Sequence, residues 1–142
     1  VNVTTSVGHN VAVRFDSANL AARAVTLRGW ALGRVAAADV GRTLLGTGVR
    51  AADLPVVTGR WTAARRTDPT RPLGPVDALV ALSTSAAATV EVAMGSQAWP
   101  PSDAAAPAWR VELGVGEQLV VDGRCSFRVD RGAVAAVLWT AV

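Results

Sequence analysis

The 142-residue chain contains no lysine and no tyrosine, and only one cysteine, one histidine and one methionine. A single cysteine, Cys125, excludes any intrachain disulfide. Structural and catalytic zinc sites draw on several Cys and His side chains, and a Cys–His dyad needs both within reach of each other. His9 and Cys125 stand near opposite ends of the chain and offer neither arrangement. Cys125, between Arg124 and Ser126 at the start of an apolar run, reads as a small buried residue. No stretch has the dense Asp/Asn spacing of a calcium loop.

The glycines of GRTLLGTG, residues 41–48, do not match dinucleotide-binding spacing. No Gly-Lys-Ser/Thr follows them, which excludes a P-loop. Ser83, Ser85 and Ser126 lack the setting of a nucleophile elbow. The eleven acidic residues are spread from Asp16 to Asp130, so no two of them stand out as a glycosidase pair. These absences predict a chain that is not an enzyme, with no catalytic residue, no cofactor and no metal. No apolar run is long enough to cross a bilayer, and residues 1–10, VNVTTSVGHN, have neither the charged nor the apolar part of a secretory leader. No membrane partner is expected.

What the chain does have is apolar content, 51% against 18% charged residues. So low a charged fraction predicts a homo-oligomer, with part of the surface buried against other subunits. All fourteen basic residues are arginine, and the net charge is only +3. Only Arg65 and Arg66 are adjacent, whereas a nucleic-acid binder gathers its charge on one face or helix. No direct nucleic-acid partner is expected.

The length suits one domain, residues 1–142. The period-2 pattern of a half-buried strand appears in 10–15 (NVAVRF), 24–32 (AVTLRGWAL) and 89–94 (TVEVAM), and the strongly apolar 76–82 (VDALVAL) fits a central strand, though its alanines allow a helix. Residues 20–23 read as a helical turn, 36–39 as a short helical candidate, 49–54 as a helical turn before Pro55, and 56–61 as a strand bulged at Gly59. Residues 1–9 read as an N-terminal arm. Two proline-rich segments, 64–75 and 95–108, read as long loops, which in a compact domain tend to be functional. The last stretch, 109–142, carries strands at 109–113, 118–121, 126–129 and 133–140. They are separated by Gly114–Gly116, Asp122–Gly123 and Arg131–Gly132, a spacing that suits antiparallel hairpins. About nine strands and little helix predict an all-β fold: an antiparallel sandwich, jelly-roll-like, or a small barrel.

Five tryptophans stand against two phenylalanines. Trp139 reads as core. Trp99 and Trp109 flank the second long loop. They either pack that loop onto the sheet or anchor a subunit interface, where Trp is enriched; a carbohydrate-stacking platform is a third option.

The segment 83–142 resembles small β-rich virion proteins of tailed bacteriophages. The resemblance rests on Ser83–Val92, on LGVGEQL at Leu113–Leu119, on the Asp122–Gly123 turn, and on the closing run Phe127–Leu138. It implies a capsid decoration (cement) protein, trimeric, located on the virion surface, with the major capsid protein as partner. Arg14, Arg65, Arg66 and Arg71 would then pair with an acidic capsid surface, and Trp99 and Trp109 would lie in the interface. A tail or head-fibre component, either a tube or connector protein or a receptor- or glycan-binding module, is the alternative it implies.

Overall fold

The structure is a computed structural model, and it describes residues 14–65, 70–96 and 107–142. These residues form nine strands and two helices. Strands predominate, as expected, and lie in two sheets with no closed barrel, so the fold is β-rich, with two helices besides. The expected N-terminal arm lies outside the described residues, as do 66–69 and 97–106 of the two expected loops.

The larger sheet has the order β1 (Arg14–Phe15), β2 (Trp30–Gly33), β7 (Gln118–Asp122), β4 (Ala78–Ser83), β9 (Ala135–Ala141), β3 (Val49–Asp53). The smaller has the order β6 (Ala108–Leu113), β5 (Ala88–Ala93), β8 (Phe127–Arg131). Only β1 and β2 run parallel; every other pair is antiparallel.

The sequence of the central strands explains the layering. In β4 and β7 nearly every residue is buried, whichever way its side chain points. A strand that is apolar on both faces needs cover on both faces. On one face Trp30, Leu32, Val80, Leu82, Leu119 and Val121 pack against Val90, Val92, Val111, Leu113, Phe127 and Val129 of the smaller sheet. On the other, Ala31, Leu79, Ala81 and Val120 pack against Ala21, Ala22, Val25, Ala37 and Val40. These last residues belong to the helices α1 (Ala18–Arg28) and α2 (Ala37–Leu45). Each fully buried Leu, Val or Phe side chain contributes about 1.5–3 kcal/mol of transfer free energy.

The closing four strands sit where their alternation and glycines place them, but they are not hairpins. β6 and β8 belong to the smaller sheet and β7 and β9 to the larger, so each glycine turn carries the chain across the core. The physical reason is the two-sided burial of β7, which must sit between β2 and β4 inside the covered sheet. The turn at Arg131–Gly132 needs glycine: its φ is +85°, and a Cβ there would stand 2.6 Å from the Ala87 carbonyl oxygen.

Three local readings are corrected. Residues 18–28 form a helix, not a turn followed by an alternating strand. Ser17 caps it by accepting from the Leu20 amide, and Gly29, at φ 97°, ends it. Its buried face is Ala21, Ala22 and Val25, whose small side chains leave a weak helical period. Residues 49–53 are the edge strand β3, held by β9, and not a helical turn. Residues 56–61 form a strap along β8 instead of a strand: the Gly59 amide donates to the Val129 carbonyl at 2.8 Å, and Thr62 bridges Phe127.

Candidate ligand-binding site

The site grows from the end of α1. Gly29 closes the helix, and its amide donates back to the Val25 carbonyl at 2.8 Å. The chain turns at once into β2, so Arg28 and Trp30 flank the glycine and their side chains meet. The Arg28 guanidinium carbon lies 3.7 Å from the centre of the Trp30 ring, and Arg28 Nε donates to the Trp30 carbonyl at 3.0 Å. Trp30 points into the space between the sheets and is 2% exposed. Trp109 of β6 meets it there, with ring centres 5.7 Å apart and planes tilted by 59°, a separation at which aromatic pairs attract. The guanidinium is also 6.0 Å from the ring centres of Phe15 and Trp109. Phe15 is held by the pairing of β1 with β2. That pairing needs Gly33, because a Cβ there would fall 1.9 Å from the Phe15 carbonyl oxygen.

Arg28 is therefore a cation caged by three aromatic rings. Burial pushes its pKa below the ordinary arginine value, yet a guanidinium keeps its proton in proteins. Its Nη2 is buried and has no hydrogen-bond partner among the described residues, and the same holds for Trp30 Nε1 beside it. Cation–π attraction offsets part of the cost of desolvation but leaves that N–H group unfilled.

The other partly buried arginines are served differently. Arg124 forks onto Asp122, Nε to Oδ1 at 3.0 Å and Nη2 to Oδ2 at 2.8 Å. The Asp122 hydrogen bond outweighs burial and raises its pKa. Arg128 reaches Glu91 at 3.0 and 2.5 Å, and Arg110 pairs with Asp130 at 3.0 Å.

Of the residues the sequence singles out, Trp109 alone joins this site. Arg14 forms an ion pair with the buried Glu117 of its own chain. Arg65 is exposed in a bend, its amide donating to the Gly123 carbonyl at 2.8 Å. Arg71 is exposed in the turn that follows 66–69. Arg66 and Trp99 lie outside the described residues, as does His9. The sequence reading missed Arg28, Trp30 and Phe15; the one local signal was a helix-ending glycine flanked by Arg and Trp. Among the described residues, no three of His, Cys, Asp and Glu come together so as to hold a metal ion, and no helix is long and apolar enough to cross a membrane.

No protein family matches the chain, and no curated protein matches it. Among solved structures it is similar to a non-heme monooxygenase, the ThoJ–nickel complex, at 19% identity and a TM-score of 0.41, over 73% of this chain and 49% of that one. The chain thus spans about half the length of that structure. None of these comparisons supports the expectation of a capsid decoration protein or its tail or head-fibre alternative, and that expectation is withdrawn. At this distance the likeness assigns no activity to the present chain.

Proposed function

We propose that the chain is a binding domain, not an enzyme, with a jelly-roll-like arrangement of its two sheets. Its site takes a small ligand that joins an anionic group to a flat apolar body. The anion completes Arg28, and the flat body lies against Trp30, Trp109 and Phe15. The carrying observation is the buried Nη2 of Arg28, which has no hydrogen-bond partner among the described residues. A desolvated cation without a carboxylate costs several kcal/mol, and a bound anion removes that cost through a charge-assisted hydrogen bond. The chemistry of the cage supports binding over catalysis. A guanidinium, two indoles and a phenyl ring offer donors and apolar surface, and none of them is a general base or a nucleophile at neutral pH.

The test is a tryptophan-fluorescence titration of the full chain with benzoate and with benzyl alcohol. Benzoate is expected to give a saturable change that Arg28→Met abolishes, and benzyl alcohol a much weaker one. An unsaturable response to benzoate, or an unchanged response in Arg28→Met, overturns the reading.

A further inference from the structure

We infer that β6 is a dimerisation edge, along which a second copy of this chain adds antiparallel to the smaller sheet. This inference is independent of the ligand proposed for Arg28. The Met94 amide donates to the Pro107 carbonyl at 3.0 Å, and the register pairs Ala93 with Ala108 and Ala88 with Leu113. Hydrogen-bonded and open pairs alternate in an antiparallel ladder, so Trp109, Val111 and Leu113 turn their backbone groups toward β5. Ala108, Arg110 and Glu112 turn theirs outward, and among the described residues β6 is the end of its sheet. The edge has no proline, bulge or lysine of the kind that blunts pairing.

The occupant follows from the side chains. Two antiparallel copies of one strand are related by a two-fold axis normal to the sheet, so only residues of the same face stand opposite each other. With the axis through Val111, Arg110 stands opposite Glu112 of the second copy, and Glu112 opposite its Arg110. These two residues also carry the outward N–H and C=O groups, so the charged pairs coincide with the hydrogen-bonded pairs. On the inner face Trp109 stands opposite Leu113, an aromatic–aliphatic pair. The edge is self-complementary in backbone, charge and apolar contact, as an isologous interface must be. The Glu112 side chain is 67% exposed; one of its oxygens accepts from Thr89 Oγ1 at 2.9 Å, and the other, 3.9 Å from its own Arg110, is the one that faces the second copy.

The other edges do not qualify. β8 is covered by the strap through Gly59 and Thr62. β1 is two residues long. In β3 the charged residues Arg50 and Asp53 are three apart, hence on opposite faces, and no two-fold pairing aligns them.

Sedimentation equilibrium of the full chain tests this, with circular dichroism reporting the fold of each variant. The wild type is expected at twice the chain mass. Glu112→Lys sets like charges opposite each other twice and is expected to weaken the dimer on the order of tenfold or more. Glu112→Pro removes an outward N–H, leaves the bonds to β5 in place, and is expected to give a folded monomer. Val111→Cys, at the two-fold axis, is expected to crosslink two copies under mild oxidation, while Val90→Cys on the adjacent strand does not. A wild type that stays monomeric as its concentration rises overturns the inference, as does a dimer that survives both Glu112 variants.

Discussion

Two arginines of this chain lie over tryptophan rings, and they differ in what completes them. Arg128 stacks 4.8 Å from the centre of Trp61 on the outer face of the smaller sheet. There Glu91 takes both its Nε and its Nη2, and Arg110 approaches the same carboxylate at 3.7 Å. Arg28 stacks closer, at 3.7 Å from Trp30, at the mouth of the space between the sheets, and among the described residues no carboxylate meets it. The guanidinium of the first is met within the chain, although Trp61 Nε1 beneath it lacks a partner among the described residues, and it reads as structure. The second is open, with a donor left over, and reads as a site. The aromatic partner does not distinguish them; the missing anion does.

Removing the anion from the closed stack has the largest expected effect. Glu91→Ala leaves Arg128 and Arg110 without their shared carboxylate, and urea unfolding is expected to show a loss of about 2–3 kcal/mol. That is below the 3–5 kcal/mol typical of a fully buried broken pair, because these side chains keep some solvent. A loss well under 1 kcal/mol would place Arg128 in the same class as Arg28.

A smaller effect comes from a second closed pair and is read by pH. Burial raises the pKa of the Glu117 carboxyl, but the Arg14 hydrogen bond, the Gly114 amide and the charges of Arg14 and Arg34 together hold it below the ordinary value of 4.5. A carboxyl with a depressed folded pKa contributes stability that is fully present above its unfolded pKa. The contribution is lost as pH falls through the folded pKa. Thermal unfolding of the wild type is therefore expected to lose stability as pH falls below about 4.5, with Glu117→Gln showing a shallower fall. Identical acid limbs would contradict the pairing.

Much of the strand pattern was legible in the sequence. The apolar run of residues 76–82, the alternation in 89–94 and the glycines of 109–142 located β4 to β9 within a few residues. Their pairing was not legible, because a glycine turn looks the same whether the chain folds back along one sheet or crosses to another. The signal for crossing was the two-sided apolar character of β7, which a hairpin strand with one wet face would not need. Helix α1 was hidden because its buried face is mostly alanine while Leu20 and Leu27 are exposed, which inverts the usual pattern. The site was hidden for a different reason. Phe15, Arg28, Trp30 and Trp109 come from four separate elements, and no spacing rule joins the first three to a residue some eighty positions later. Arg14 and Arg65 were legible as charges, but the ion pair of Arg14 with Glu117 depends on β1 lying beside β2.

The most direct test of the central claim compares the thermal unfolding of the wild type and Arg28→Met, each with and without benzoate. Among the described residues Arg28→Met strands no carboxylate, and it exchanges a cation without a counter-ion there for an apolar chain of similar length. Its stability without ligand is expected to stay within about 1 kcal/mol of the wild type. Benzoate is expected to raise the unfolding temperature of the wild type in proportion to the logarithm of its concentration and to leave the variant unmoved. A variant that loses several kcal/mol without ligand, or a wild type that benzoate does not stabilise, would show that Arg28 is completed within the chain and contradict the account.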